Sequence, residues 1–199
     1  MRILVAEDDP VIALGLCKRL RALGHTPIGP AANGKVAVEL ARETLPDLYL
    51  FDIDMPHLDG LSAARALTER GLRRPVVVVT GVEDAELVER SIQTGVSAYL
   101  TKPIDERELD AAIRLAAARH DEFERLEEEV TRAHQALDDR KRVERAKGIL
   151  MSQLSLGETE AFQRIQKLAR NTNRRLVDVA DFVIENEELI SPRLAAENT

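Results

Sequence analysis

Four short apolar runs punctuate the first hundred residues: RILVA (2–6), DLYLF (47–51), PVVVV (75–79) and SAYLT (97–101). Their apolar positions are consecutive rather than alternating, the pattern of strands buried on both faces. HTPIGPA (25–31) is a weaker fifth run. Between and after them, 10–23, 33–44, 58–70, 84–94 and 105–118 carry apolar residues at helical spacing. Asp9 followed by Pro10 reads as a helix start, an N-cap side chain ahead of a residue with preset φ. A strand buried on both faces needs cover on both, so strand–helix repetition predicts a parallel sheet with helices on its two sides.

Five such units predict an α/β domain, a flavodoxin-like doubly wound sheet of five parallel strands in the order 2-1-3-4-5. In that arrangement the carboxyl ends of the strands converge on one crevice. Glu7 and Asp8 end the first predicted strand, Asp52 the third, Thr80 the fourth and Lys102 the fifth. Three carboxylates crowded together repel one another by several kcal/mol at low effective dielectric unless a cation sits among them. A hard divalent ion with oxygen ligands answers that need, and Mg²⁺ is the expected one. A carboxylate beside Mg²⁺ can attack a phosphoryl group to give an aspartyl-phosphate. Lys102 and the Thr80 hydroxyl would stabilise the phosphoryl oxygens. Acids at loop starts are common, but four signals in register at four strand ends are not.

After Pro103 the pattern changes. No Gly or Pro occurs from 104 to 147, and Leu109, Ile113, Ala116, His120, Phe123, Leu126, Val130, Ala133 and Leu137 step by threes and fours. That seam predicts a long helix leaving the first domain and pairing, as a coiled coil, with a second copy of the chain. The rival is a helix folded back on the first domain. Ser155 with Glu158 reads as a capping box opening the next helix, with Ala161, Ile165, Leu168 and Ala169 inward. Leu176, Val179, Ala180, Val183 and Ile184 form a further apolar stripe. The expected organisation is a domain over 1–118, a helical linker over 119–139, a three-helix module over 125–187 that shares the linker helix, and a tail over 188–199.

Charge is unevenly distributed. The chain has a formal net charge of -7, yet residues 140–175 hold ten Lys or Arg against three acids. Within that span RKRVERAKGILM (140–151) concentrates Arg140, Lys141, Arg142, Arg145 and Lys147. Lys141 and Arg145 fall one turn apart on a polar flank, and Arg164 and Lys167 repeat the pattern on the next helix. An excess of this size is no self-balanced helix face, and nucleic-acid phosphate is its natural counterpart. The single Cys17 excludes an intramolecular disulfide and a cysteine-rich zinc site. No apolar run is long enough to span a bilayer and no secretory signal opens the chain, so a cytoplasmic protein without membrane contact is expected.

ILVAEDDP, DLYLFDIDMPHLDG, VVVVTG and AYLTKP resemble the signature segments of two-component response-regulator receiver domains, a likeness covering residues 1–118. The resemblance implies Glu7 and Asp8 as the acid pair, Asp52 as phosphoacceptor, Thr80 and Tyr99 as switch residues, and Lys102 as the conserved lysine of the family. It also implies a metal ligand from the main-chain carbonyl of Asp54 and a cis Lys102–Pro103 bond. Gly81 stands where relatives carry Ala, and Asp54 places a second acid where relatives tune the phosphate lifetime. Residues 125–187, with AKGILM (146–151), Glu160-Ala161-Phe162 and Val179-Ala180, resemble the ANTAR output domain of antitermination regulators. That likeness implies binding to RNA hairpins in nascent transcripts, and the two likenesses together imply a sensor histidine kinase as phosphate source for Asp52 and no enzymatic output. Phosphorylation would bias homodimer formation. Competing readings are a DNA-binding regulator, a regulator gripping an acidic protein, and a phosphate sink.

Overall fold

The computed structural model describes residues 1–81 and 95–187; the helix expected over 84–94 and the tail from 188 lie outside the described residues. The chain divides into two compact units, Met1–Arg125 and Leu126–Thr199.

The first unit is built on strands β1 (Arg2–Ala6), β2 (Thr26–Ala31), β3 (Leu48–Asp52), β4 (Val76–Thr80) and β5 (Ala98–Thr101). All neighbours are parallel, as the strand–helix repetition predicts, and the order is β2-β1-β3-β4-β5, the one expected of a flavodoxin-like sheet. Side chains alternate between the two faces. Leu4, Ala6, Tyr49, Phe51, Val76 and Val78 pack with Ala37, Val38 and Ala41 of α2 (Gly34–Thr44) and Leu61, Ala64 and Leu67 of α3 (Gly60–Glu69). Ile3, Val5, Leu48, Leu50, Val77 and Val79 face the other way. They meet Leu16, Cys17 and Leu20 of α1 (Pro10–Ala22) and Leu109, Ile113 and Ala116 of α4 (Glu106–Leu154). Helices therefore cover both faces, which is why the central strands read as unbroken apolar runs. Asp9 caps α1 as expected, its Oδ1 accepting the Val11 and Ile12 amides at 2.7 and 3.1 Å.

α4 is one helix of 49 residues. The apolar seam along it divides. Leu109, Ile113 and Ala116 are buried against the sheet, whereas Phe123, Leu126, Val130 and Leu137 are about half exposed. Its first stretch thus follows the folded-back reading, and the second keeps an uncovered stripe.

In the second unit the end of α4 packs with α5 (Glu158–Thr172) and α6 (Leu176–Glu185). Val143, Ala146, Ile149 and Leu150 meet Ala161, Ile165 and Ala169, and Val179, Ala180 and Val183 close the core. The capping box expected at Ser155 and Glu158 does not form. Ser155 adopts a left-handed φ of 50° after the end of α4, and Gly157 is the N-cap of α5, with no side-chain cap. Glu158 is instead engaged by Lys147 at 2.8 Å. A reciprocal contact occurs at α6, where Asp178 Oδ2 accepts the Arg175 amide at 3.2 Å.

Candidate phosphoacceptor pocket and basic helical module

The carboxyl ends of β1, β3, β4 and β5 lie side by side because the strands are parallel and in register. Asp52 pairs with Val79 and Thr80 with Thr101. Glu7 and Asp8 follow β1 directly, and Lys102 follows β5, its amide donating to the Thr80 carbonyl at 2.8 Å. Glu7 and Asp52 are buried and Asp8 is exposed; ligand oxygens of the three lie within 4.8 Å of one another. Lys102 Nζ sits 2.9 Å from both Glu7 Oε2 and Asp52 Oδ2. Thr80 is fully buried at the end of β4. Tyr99, on β5, packs against the core beneath α2 and α3, and Asp54 is exposed two residues past Asp52.

Electrostatics follow from this crowding. Burial raises the Glu7 carboxyl pKa; the Lys102 hydrogen bond opposes that, and the Asp52 charge adds to it. Burial alone would depress the Lys102 ammonium, but hydrogen bonds to Glu7 and Asp52 outweigh it, so its pKa is raised and the charge is firmly held. One cation thus serves two buried carboxylates. Among the described residues Asp52 Oδ1 is buried without a hydrogen-bond donor, and Glu7 Oε2, although beside Lys102, lacks a well-directed one. Orphaned carboxylate oxygens in a cluster whose ligand atoms lie within 4.8 Å of one another fit a hard divalent cation, whose charge and oxygen preference match this set.

In the second unit the basic residues separate into two groups. Arg140, Arg145, Arg164 and Lys167 are exposed, with no ion pair among the described residues. Lys141 pairs with Asp138 at 3.1 Å but stays exposed, and Arg142 pairs with Asp181 at 3.1 Å. Lys147 differs: its side chain is 11% exposed and lies 2.6 Å from Glu144 and 2.8 Å from Glu158. Hydrogen bonds to these two carboxylates raise its pKa. Its charge is committed to joining α4 to the start of α5, so it does not present a free cation on the basic surface, contrary to the sequence expectation.

Residues 3–114 match the response regulator receiver domain family, and residues 131–184 match the ANTAR domain family. The chain belongs to the response regulators. This response regulator is 40% identical over 184 residues to the transcriptional regulatory protein PdtaR of Mycobacterium tuberculosis, covering 92% of this chain and 89% of that protein. Among solved structures, its receiver unit is similar to the signal receiver domain of a modulated diguanylate cyclase from Desulfovibrio desulfuricans G20, with TM-score 0.55, 31% identity, and coverage of 59% of this chain and 94% of that one. The receiver domain of the Francisella response regulator 1452 is similar at TM-score 0.55 and 28% identity, covering 60% and 98%. Its class is that of a two-component response regulator whose output domain serves RNA-binding antitermination. Among the described residues no helix is long and apolar enough to cross a membrane.

Three contributors to these sites escape sequence reasoning. Gly60 opens α3 directly beneath the acceptor, and an added Cβ would overlap the Asp52 carbonyl oxygen, so only glycine allows that approach. Arg19 Nη1 donates to the Ile104 carbonyl at 2.8 Å, tying α1 to the segment after Lys102 and Pro103, whose bond is cis. Glu158 holds Lys147 across 11 residues. The Asp59-Gly60 pair was a visible signal for the first; nothing local marks the other two. At Gly81 an added Cβ meets nothing within 4 Å among the described residues.

Proposed function

We propose that a sensor histidine kinase phosphorylates Asp52, and that the phosphorylated regulator binds RNA hairpins of nascent transcripts through the basic exterior of its ANTAR unit. The carrying observation is the pair of Asp52 oxygens: Oδ2 is held 2.9 Å from Lys102, while Oδ1 is buried without a donor among the described residues. Glu7, Asp8, Asp52 and the main-chain carbonyl of Asp54 would hold Mg²⁺, which when bound neutralises charge on the transferring group. The Asp52 carboxylate attacks phosphorus as the bond to the kinase imidazole breaks, leaving the bond's electrons on nitrogen. Lys102 then exchanges a carboxylate partner for a phosphoryl oxygen, and Thr80 donates its hydroxyl to another. Thr80 and Tyr99 carry the change away from the pocket. On the output side Arg140, Lys141, Arg142, Arg145, Arg164 and Lys167 meet RNA phosphates, without Lys147. With no exposed row of aromatics, recognition rests on backbone charge and hairpin shape. The regulator acts in the cytoplasm as a homodimer on phosphorylation.

Asp52→Asn should abolish Mg²⁺-dependent labelling by a small phosphodonor, and Lys102→Ala should leave Mg²⁺ binding largely intact while weakening the phosphorylated response. Undiminished labelling of the Asp52 variant would refute the assignment.

A further inference from the structure

The receiver unit has a second concave site at the amino-terminal ends of β4 and β5, the end of the sheet remote from Asp52. A cavity of about 490 Å³ opens there, lined among others by Arg73, Arg74, Ser97, Arg119, His120 and Phe123. No carboxylate is among the described lining residues. At its rim Glu124 lies 3.3 Å from His120 Nε2. The recorded hydrogen bonds of Arg74 and Arg119 go to main-chain carbonyls. Arg74 donates through Nε to the Pro46 carbonyl at 3.2 Å and through Nη1 to the Arg73 carbonyl at 2.9 Å. Arg119 Nη1 donates to the Ser97 carbonyl at 3.3 Å. Arg73 lies over the Phe123 ring, 5.1 Å from its centroid. A carbonyl fixes a guanidinium without cancelling its charge, so Arg74 and Arg119 are oriented and still electropositive. That is an unusual concentration in a chain whose net charge is -7.

We propose that this cleft binds a small phosphate-bearing anion. Guanidinium forks match phosphate oxygens in pairs, and backbone-held forks lose little freedom on binding. The cavity lies within the ~300–1,000 Å³ range of small-ligand sites. Phe123, 44% exposed, adds a flat apolar wall that a nucleotide base could use and a bare phosphate could not. The walls come from the lead-ins to β4 and β5 and from α4 at 119–123, so a bound anion ties that stretch of α4 to the sheet edge.

Equilibrium dialysis of the full-length protein in EDTA, with pyrophosphate and ADP as separate probes, tests this. Chelation keeps divalent ions out of the carboxylate pocket. Both probes should bind, and Arg74→Gln and Arg119→Gln should each weaken them by about tenfold. Arg65→Gln, whose partner is Glu69, and Lys102→Ala should bind as wild type does. Tighter binding of ADP, lost selectively in Phe123→Leu, would identify a nucleotide; equal binding would identify phosphate alone. Either result supports the site. No binding by the wild-type protein at about 10 mM probe, or unchanged affinity in a folded Arg74→Gln variant, overturns it. Loss of binding in Lys102→Ala would place the anion in the carboxylate pocket and also overturn it. So would saturation by an acidic peptide but by neither phosphate probe, since that assigns the cleft to a protein partner.

Discussion

Burial and the Asp52 charge hold the Glu7 carboxyl above its ordinary value of 4.5, with Lys102 pulling only part of the way back. An acid whose folded pKa is raised contributes stability below its unfolded pKa and loses it as pH climbs through the folded value. The unfolded chain ionises Glu7 readily, whereas the folded chain must do so beside Asp52. Glu7→Gln should therefore melt about 2–4 °C higher than the parent at pH 7–8 without divalent ions. The difference should shrink as the pH falls toward 4.5, because the raised folded pKa leaves the parent carboxyl more protonated in the folded chain than in the unfolded one. Adding Mg²⁺ should favour the parent, since the substitution removes a ligand oxygen. Thermal melts at three pH values, with and without Mg²⁺, measure this; a variant that melts lower than the parent at pH 7.5 in EDTA contradicts it.

At the scale of the element, α4 divides its lysines between structure and surface. Lys147 is pinned between Glu144 and Glu158, whereas Lys141 and its partner Asp138 are both well exposed, a pairing that contributes little to stability. Lys147→Gln leaves two carboxylates facing each other at the junction of α4 and α5. It should lower the melting temperature and leave the salt dependence of RNA binding close to the parent's. The Lys141→Ala, Arg145→Ala double variant should do the reverse, melting normally and flattening the log–log salt slope by about 0.7–0.9 per lost contact. Titration of matched and loop-scrambled hairpins at several salt concentrations distinguishes the two, because phosphate contacts weaken both hairpins alike. A parental slope in the folded double variant would remove Lys141 and Arg145 from the RNA surface.

For the whole molecule, the exposed stripe Leu126, Val130 and Leu137 is an apolar face that the described residues of a single chain leave uncovered. Spaced by four and seven residues on one helix, it suits a coiled-coil partner, and a second copy supplies the same stripe. Sedimentation should show stronger self-association with a phosphodonor than without. Leu126→Glu combined with Val130→Glu should abolish that association while labelling of the receiver continues. A monomer under both conditions, with unchanged RNA affinity, would rule out control by dimerisation.

The alternation of contiguous apolar runs with amphipathic stretches determined the sheet and its parallel sense, because strands buried on both faces admit few other arrangements, and the strand order is the common one for a flavodoxin-like fold of five such units. The same topology made Glu7, Asp8, Asp52, Thr80 and Lys102 legible as neighbours, since parallel strands bring their carboxyl ends together wherever they lie in the chain. Tertiary structure alone decided that the α4 seam divides at about His120. Periodicity records that a face is apolar, not whether a sheet or a second molecule covers it. It also decided that Glu158 serves Lys147 rather than a capping box, and that Lys147 is withdrawn from the basic surface. Those outcomes depend on which side chains meet across the α4–α5 turn, where the left-handed Ser155 redirects the chain. A charge read along a helix shows its sign and spacing, while its availability to a ligand is set by what packs beside it.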